Sequence, residues 1–356
     1  AEIEGLKSLL VVGSHLRHEA PMLAHRVRKA ALAGTAVAFV NPARYEYLFP
    51  VVNQHVAGGG SLVTELCALA RAAAEATGQA LPAAVAGVAA GVTVTDAHRA
   101  TAAALAGEGT RLVLLGALAI RHPFYADLRA AAVALATLTG ARVGFLPEGG
   151  NAVGAALAGA LPHRDAGGQA AAPAGLDARR MLEAPLAAYV LFGGIELEFD
   201  TLVPAAMQSI KDSDFVVAIT PYASEATRAQ ADVLLPMGTF TESSGTYVNV
   251  EGRWQSFAGA VKPLGEARPG WKVLRVLGNL LGLPGFDFSS SDEVRDTVAA
   301  AASGVAQGGT YLGSRVVSTL ADGGATDLAM YRLDAVLRRA PALQKTRDGL
   351  ATAGVS

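Results

Sequence analysis

The chain has 356 residues, of which 51% are hydrophobic and only 17% charged, and its formal net charge at pH 7 is −2. This length and hydrophobic content predict a large buried core divided between two subdomains, and the balanced charge excludes the basic surface typical of nucleic-acid binding. Every apolar run is strand-sized and shorter than the about 20 residues of a bilayer crossing, so we expect no direct membrane insertion.

The first part of the chain alternates between predicted strands and helices. An apolar run at 7–12 predicts a buried strand that ends at Gly13-Ser14. Pro21 then begins an amphipathic helix, which Gly34 ends. The pattern continues with strand 35–40, helices 62–77 and 96–106, strand 111–116, helix 124–139 and strand 142–146. Such alternation predicts a parallel sheet with helices on both faces.

A domain boundary is predicted between Pro147 and Gly175, because Gly149-Gly150-Asn151 opens a stretch rich in glycine and alanine. The alternation then resumes with strand 187–192, helix 203–210, strands 214–220 and 233–235, and helices 269–281 and 292–302. Beyond Ser303 the periodicity fades, except for a short helix predicted over 328–339. We therefore predict domains over residues 1–160 and 175–302, followed by an irregular tail over 303–356.

Residues 232–257 carry the most specific local pattern. An apolar strand stops at Pro236, which has no N–H for a central ladder, and a polar loop follows it. A second strand then leads into a predicted two-residue turn at Glu251-Gly252, which would place Asn249 opposite Trp254. The result is a hairpin at the carboxyl end of a buried strand, where open α/β sheets hold ligands.

Two glycine turns are candidate anion sites. Gly13-Ser14 precedes a helix whose N-terminus is able to bind a phosphate, but Glu19 in the first turn would repel it and already balances the helix dipole. A tight strand-to-helix turn is therefore the favoured interpretation. Gly58-Gly59-Gly60, before the second long helix, is a candidate phosphate cradle, and a flexible cap is the commoner meaning of such a run.

The sequence predicts no metal site and no catalytic residues. Three histidines cluster at one helix start without the i, i+4 spacing or cysteine partners of zinc ligands, and three others stand alone. They are His15, His18 and His25, and then His98, His122 and His163. Ser243-Ser244-Gly245 lacks the Gly-x-Ser-x-Gly context of a nucleophile elbow. Glu242 and Glu251 are interpreted as solvated or backbone-bonded carboxylates rather than as a catalytic pair.

Cys67 is the only cysteine of the chain. It lies beside Leu66 and Leu69, so we predict a small buried core residue, since cysteine is among the most buried residue types. One cysteine excludes a disulfide framework and fits a reducing compartment. It also excludes an iron–sulfur cluster ligated by this chain alone, because such clusters need several thiolates.

Several segments resemble the molybdopterin oxidoreductase superfamily. They are ADVLLP, TESSGTYVNVEGRWQ, PLGEARPGWKVLRVLGNLLGL, VVGSHLRHEAPMLAHRVRKAALAG, AYVLFGGIELEFD and, at the end, MYRLDAVLRRAPALQKT. More narrowly, they are similar to the family of large iron–sulfur subunits of bacterial NADH-quinone oxidoreductase (respiratory complex I). The match spans most of residues 6–300, in the order that the family shows. One departure is Glu196-Leu197-Glu198, which replaces a usual Glu-Pro-Glu.

The resemblance implies an α/β fold with two Rossmann-like parallel-sheet subdomains of the formate dehydrogenase/DMSO reductase type. In relatives that hold molybdenum through a bis-pterin guanine dinucleotide, the matching loop, hairpin and strand ends line the pterin groove. In this chain the corresponding positions are candidates for a vestigial groove in which no cofactor is expected. They are Gly13, Ser14, Gly150, Asn151, Thr220, Thr241, Glu242, Gly245, Thr246, Asn249, Glu251 and Arg253.

The same resemblance implies a scaffold without chemistry of its own. The chain would be the C-terminal region of that large subunit, inactive alone and without cofactors, while a preceding N-terminal part carries the iron–sulfur clusters. Its implied partners are that N-terminal part and other peripheral-arm subunits of the complex, which passes electrons from NADH to quinone. The implied location is cytoplasmic and peripheral to the inner membrane through the complex.

Two alternatives remain open at this point. The first is an enzyme, the C-terminal part of a true molybdopterin oxidoreductase whose active site is completed by a preceding part. The second is a nucleotide-binding α/β module, such as the middle domain of thiamine-diphosphate enzymes, which shares the strand–helix alternation and the loose glycine turns.

Overall fold

The computed structural model describes residues 2–57, 62–201, 203–305, 317, 331, 334–347 and 349. Two compact units make up the chain. The first unit comprises Ala1–Glu148, Thr310–Met330 and Lys345–Ser356. The second comprises Gly149–Gly309 and Tyr331–Gln344. Within the described ranges, no helix combines the length and the apolar character needed to span a lipid bilayer.

A five-stranded parallel sheet forms the centre of the first unit. Its strands are β1 (Ser8–Val12), β2 (Ala36–Asn41), β3 (Asn53–Val56), β4 (Arg111–Leu115) and β5 (Arg142–Phe145). They lie in the order β3-β2-β1-β4-β5, and Val12 is paired with both Val40 and Leu115. The strand order reverses between β1 and β4, which is the doubly wound arrangement of dinucleotide-binding folds.

Within the described residues of the first unit, seven helices connect or flank these strands. They are α1 (Leu16–Glu19), α2 (Pro21–Leu32), α3 (Leu62–Thr77), α4 (Ala83–Ala89), α5 (Asp96–Ala106), α6 (Ala117–Ile120) and α7 (Tyr125–Thr139). Successive residues of β1 point to opposite faces, so Leu9 packs in one core cluster and Leu10 in another. Both faces of the sheet are therefore buried, which is why its strands read as continuous apolar runs.

The predicted parallel α/β fold is confirmed, and the predicted limits of α3 and α5 agree with the structure. Strand β3 and helix α4 are among the elements that sequence reasoning missed. Strand β3 is a polar sheet edge of sequence NQHV and lacks apolar alternation, while α4 is a short run of alanine, glycine and valine without caps. The predicted glycine cradle at Gly58-Gly59-Gly60 lies outside the described residues.

A three-stranded parallel sheet, in the order β6-β7-β8, forms the second unit's main sheet. Its strands are β6 (Ala188–Phe192), β7 (Phe215–Thr220) and β8 (Val233–Pro236). Tyr189 and Leu191 of β6 pack against Leu182 and Ile210 in one core cluster. The alternate residue Val190 is 53% exposed. Only one face of β6 is thus covered within the described part of the unit.

Helices with described bounds in the second unit are α8 (Ala152–Leu157), α9 (Ala178–Glu183), α10 (Leu197–Asp200), α11 (Ala206–Lys211), α12 (Glu225–Gln230), α13 (Gly270–Leu280), α14 (Ser291–Ala301) and α15 (Pro341–Gln344). A 3₁₀ turn at Leu337–Arg339 precedes α15. The short helix predicted over 328–339 is described only at residue 331, which is helical, and at residues 334–339, which contain this 3₁₀ turn.

The hairpin of β9 (Gly245–Val248) and β10 (Trp254–Phe257) has a different register from the predicted one. Trp254 pairs with Val248, not with Asn249. The turn is longer than predicted, because the Asn249 side-chain oxygen accepts the N–H groups of Glu251 and Arg253, at 3.0 and 2.9 Å. Gly252 closes the turn with a φ of 75°, so the side-chain cap of Asn249 shifts the register by one residue.

A close backbone approach ends β1. Gly13 has a φ of 63°, and a Cβ there would lie 2.8 Å from the Cβ of Ala119 and 2.9 Å from its Cα. Gly78, at the end of α3, has a nearly equal φ of 67° but has nothing within 4 Å of the same position. A substitution at Gly78 would therefore cause only the backbone strain of a positive φ, whereas one at Gly13 would cause the same strain and a steric clash.

We predict that Gly13→Ala lowers the free energy of unfolding of the first unit by about 2 kcal/mol more than Gly78→Ala. Both substitutions place alanine at a positive φ, at a cost of about 1 kcal/mol. Only Gly13→Ala also overpacks the contact with α6. Hydrogen exchange of the β1 and β4 amides in urea measures the effect. Equal losses in the two variants would contradict the close approach.

Candidate functional site at the strand carboxyl ends

The strand reversal in the first unit marks a ligand crevice in folds of this type. Ligands of open α/β sheets bind outside the carboxyl ends of the strands, where neighbouring connections run to opposite faces. In this chain the crevice lies between Gly13-Ser14, after β1, and Gly116-Ala117, after β4. Two of the predicted groove positions, Gly13 and Ser14, therefore lie at this crevice.

The Glu19 side chain occupies the crevice. Its carboxylate accepts a hydrogen bond from Ser14 Oγ at 2.5 Å and another from the backbone N–H of Ala117 at 2.8 Å. A Cβ on Gly116 would lie 2.8 Å from Glu19 Oε2, so the space between the two turns is already filled. Sequence reasoning placed Glu19 in the first turn of the following helix, but it ends α1 and hydrogen-bonds across the sheet instead.

These contacts determine what the crevice is able to bind. A phosphate that used the Ser14 hydroxyl and the Ala117 N–H would meet the Glu19 carboxylate, so this set of side chains does not fit the phosphates of a dinucleotide. Burial raises the pKa of Glu19 above its ordinary value, the Ser14 and Ala117 hydrogen bonds lower it, and the neighbouring Glu148 carboxylate raises it. The carboxyl thus binds a proton more tightly in the folded chain.

The carboxyl ends of β6 and β7 form the corresponding edge of the second unit. Gly193 and Gly194 follow β6 with φ angles of 94° and 84°, and Thr220, another predicted groove position, ends β7. Glu196 comes shortly after this glycine turn and is only 3% exposed. A carboxylate buried this deeply is stable only with charged or hydrogen-bonding partners.

Arg338 and Arg339, from the C-terminal part of the chain, supply those partners. Arg338 contacts Glu196 at 2.8 Å and Asp200 at 2.6 Å, and Arg339 also pairs with Glu196. Each guanidinium also lies over an aromatic ring, Arg338 over Phe199 at 4.8 Å and Arg339 over Tyr222 at 4.4 Å. An open cavity of about 520 Å³ remains beside the two arginines.

Sequence reasoning did not find this ion-pair network. Glu196 was noted only as part of a family departure, and the two arginines end the short helix predicted over 328–339, to which no ion-pair role was given. Glu196 and Arg338 are 142 positions apart. No spacing rule links residues at that separation, so only the folded chain brings them together.

The polar loop after β8 is held by Glu242. Its carboxylate accepts the N–H of Thr239 at 2.8 Å and the N–H of Leu264 at 3.0 Å. The Thr239 backbone hydrogen bond is the main cause that lowers the pKa of Glu242, partly opposed by desolvation. The interpretation of Glu242 as a backbone-bonded carboxylate agrees with these contacts, and its role is to fix the loop.

The glycine turn after β5 lies against the hairpin, both within the second unit. Asn151 Oδ1 accepts the N–H of Val248 at 2.9 Å, and a Cβ on Gly150 would lie 3.3 Å from the Tyr247 ring. Two of the predicted groove positions, Gly150 and Asn151, thus lie against β9. The other predicted groove positions of this region lie in the loop before β9, in β9 itself and in the hairpin turn. They are Thr241, Glu242, Gly245, Thr246, Asn249, Glu251 and Arg253.

A second open cavity, of about 640 Å³, lies beside this loop. Its polar lining combines the basic Lys262 and Lys272 with the acidic Glu242 and Asp292. Opposite charges on one wall favour neither a purely anionic nor a purely cationic ligand.

His98 is not isolated, contrary to the sequence-based interpretation. Its Nε2 atom lies 2.9 Å from a carboxylate oxygen of Glu65, and its ring stacks on that of His55 with centroids 4.8 Å apart. Burial lowers the pKa of His55 to about 4, helped by His98 and opposed by Glu65. Cys67, in contrast, is a buried core residue as predicted, and burial raises its pKa to about 12.

Comparison with known proteins agrees with this fold. The sequence profile of the molybdopterin oxidoreductase family matches residues 1–280. The chain therefore belongs to the molybdopterin oxidoreductase family. Acetylene hydratase from Pelobacter acetylenicus has a similar fold, with a TM-score of 0.55 over 85% of this chain and 51% of that protein, at 14% identity.

Curated relatives match shorter stretches. A putative formate dehydrogenase from Staphylococcus aureus (strain bovine RF122 / ET3-1) is 32% identical over 100 residues, 28% of this chain. The mitochondrial NADH-ubiquinone oxidoreductase 78 kDa subunit from Candida albicans is 53% identical over 51 residues, 14% of this chain. The matched stretches span 10% and 7% of those two proteins.

The raised pKa of Glu19 predicts a pH dependence of stability. A carboxyl whose folded pKa lies above its unfolded value stabilises the fold below the unfolded pKa, and this stabilisation is lost as pH rises through the folded pKa. Glu19→Gln removes the titration. We therefore expect the stability of this variant relative to the wild type to be higher at about pH 7 than at about pH 4.

Hydrogen exchange of the β1 and β4 amides across that pH range measures this difference in the first unit. Glu251→Gln, at an exposed carboxylate in the hairpin turn of the second unit, is the control. If the stability of the wild type and that of Glu19→Gln changed with pH in parallel, the raised pKa of Glu19 would be contradicted.

We predict that Arg338→Met lowers the free energy of unfolding of the second unit by about 3 kcal/mol, because it leaves the buried Glu196 with one fewer cation. Trp254 and Trp271 are the only tryptophans of the chain and lie in this unit, so their fluorescence in urea follows its unfolding. Arg179→Met, which removes an exposed contact to Glu183 at 3.9 Å, should change stability by about 0.5 kcal/mol or less. Equal effects of the two variants would contradict the network.

Proposed function

We propose that this chain is the molybdopterin oxidoreductase-type region of the large iron–sulfur subunit of bacterial NADH-quinone oxidoreductase, and that it acts as a scaffold in the peripheral arm. The 53% identity over 51 residues with the 78 kDa subunit of a mitochondrial NADH-ubiquinone oxidoreductase supports the assignment. In this role the chain supports a cluster-bearing part of the same subunit and neighbouring subunits, while electrons pass from NADH to quinone elsewhere.

One observation carries the scaffold proposal: the chain's own charged side chains take up the polar groups at the strand ends of both units. Glu19 takes the Ser14 and Ala117 hydrogen bonds in the first unit. Arg338 and Arg339 pair with Glu196 in the second. A pterin dinucleotide at either edge would have to displace a hydrogen-bonded carboxylate or a buried ion pair. The architecture is then retained for its shape and stability.

The second candidate is the C-terminal part of a molybdopterin enzyme. The 32% identity over 100 residues with a putative formate dehydrogenase favours it, as do the open cavities of about 520 and 640 Å³. In that case a preceding part of the polypeptide completes the site, and the arginine pair moves aside when the cofactor binds.

Two measurements separate the candidates. One is the effect of Arg338→Met on assembly of the full-length subunit into the complex in its host cells, and the other is the molybdenum and pterin content of the wild-type protein. If the chain is a scaffold, the variant lowers the amount of assembled complex but leaves NADH oxidation per assembled complex unchanged. Purified wild-type protein also yields neither molybdenum nor a fluorescent pterin after heating. If the chain is part of a pterin enzyme, the purified wild-type protein contains molybdenum and pterin, each at about one equivalent per chain.

Arg179→Met is the matched control for assembly, since it removes an exposed arginine from the same unit. A purified pterin enzyme from the same cells is the positive control for the fluorescence assay. Unchanged assembly in Arg338→Met, or one pterin per chain in the wild type, would overturn the scaffold proposal.

A further inference from the structure

Two imidazoles and a carboxylate converge in the first unit. His55 lies on the edge strand β3, Glu65 on α3 and His98 in the first turn of α5. One ligand atom from each residue can be chosen so that all three lie within 4.8 Å of one another. The side chains of His55 and His98 are 4% and 7% exposed, and that of Glu65 is 23% exposed.

A threonine holds one nitrogen of each imidazole and so orients the other toward Glu65. Thr101 Oγ1 lies 2.9 Å from His55 Nε2, and Thr95 Oγ1 lies 2.9 Å from His98 Nδ1. The remaining atoms, His55 Nδ1 and His98 Nε2, lie 3.8 and 2.9 Å from the same oxygen, Oε2 of Glu65. At His55 this is the outer-sphere arrangement by which proteins fix the tautomer and orientation of a metal-binding histidine. At His98 the backbone N–H of Thr95 also donates to Nδ1, at 3.0 Å, so Nε2 carries the ring proton toward Glu65 in the metal-free chain. Metal binding at Nε2 therefore requires the ring proton to move to Nδ1, where the Thr95 hydroxyl accepts it in place of the backbone contact.

The His55–Glu65 distance is the informative one. At 3.8 Å it is too long for a hydrogen bond, yet it is close to the separation of two ligand atoms on one cation with bonds of about 2.1 Å. The His98–Glu65 contact of 2.9 Å needs to lengthen by only about half an ångström to share the same ion. The three donors, which lie within 4.8 Å of one another, therefore surround a point that a small cation can occupy once the donor atoms draw closer to it.

We propose that His55, Glu65 and His98 form a binding site for a divalent transition-metal ion, with Zn²⁺ as its best fit. Two neutral imidazole nitrogens and one carboxylate oxygen are a ligand set that zinc uses when a fourth position remains open to water. The single negative charge of the carboxylate favours a cation, and the ion would join β3, α3 and α5.

This site is independent of the scaffold proposal and of any pterin. Its residues come from the first unit only, and none of them lies among the twelve predicted groove positions. Sequence reasoning missed it because His55 lies in a polar edge strand without a motif, ten residues before Glu65 and 43 before His98.

The test is calorimetric titration of the metal-free chain with Zn²⁺ alone, and with Co²⁺ alone as a spectroscopic probe. We expect one ion per chain and an absorption spectrum of low-symmetry, four- or five-coordinate Co²⁺. Glu65→Gln keeps an oxygen acceptor for His98 and should retain the fold while weakening Zn²⁺ binding at least about tenfold. Thr101→Val, which removes the hydroxyl that orients His55, should weaken it by about tenfold as well.

Two controls separate this site from adventitious binding at other histidines. His18→Ala removes the ring that lies 3.8 Å from His15, another close histidine pair, and His163→Ala removes an exposed histidine. Both variants should bind Zn²⁺ as the wild type does. The proposal is overturned if the wild type takes up no ion saturably, or if Glu65→Gln and His55→Ala bind it with wild-type affinity while their exchange of β1 amides shows an intact fold.

Discussion

Buried charge at the carboxyl ends of parallel strands is the constraint on which both units depend. At these ends the ladder stops and the backbone turns, so polar groups face a crevice that apolar side chains do not fill. In the first unit the Glu19 carboxylate satisfies the Ala117 N–H and the Ser14 hydroxyl. In the second, Glu196 is itself the buried group and depends on Arg338 and Arg339. Each arrangement satisfies polar groups at the end of a sheet.

The Glu19 and Glu196 carboxylates differ in the partners that stabilise them. Glu19 receives hydrogen bonds from neutral donors, and its raised pKa shows that burial outweighs them. Glu196 receives two guanidinium groups, which themselves rest on Phe199 and Tyr222. Removing one of these cations leaves the buried carboxylate with only one charged partner, which is more destabilising than removing a neutral donor. The C-terminal arginines therefore tie a segment distant in sequence to the sheet of the second unit.

How much of this structure the sequence predicts depends on how far apart along the chain the interacting residues lie. Local rules were sufficient for α3 and α5, whose limits follow from apolar periodicity and, in α5, from the capping box between Thr95 and His98. They failed by one residue at the hairpin, where a single side chain, Asn249, caps the backbone and lengthens the turn. The contact of Glu19 with Ala117 crosses 98 positions, and no local pattern encodes it.

The hydrogen-bonded charges at these strand ends affect ligand binding because they compete with a ligand for the same polar groups. A ligand with a micromolar dissociation constant gains about 8 kcal/mol from binding. If it must first break a buried ion pair at a cost of about 3 kcal/mol, its affinity falls by about two orders of magnitude. A chain that binds a cofactor for catalysis gains nothing from such a competitor, since a preorganised open site binds more tightly. A chain that contributes shape to an assembly does gain, because the same ion pair stabilises the surface it presents.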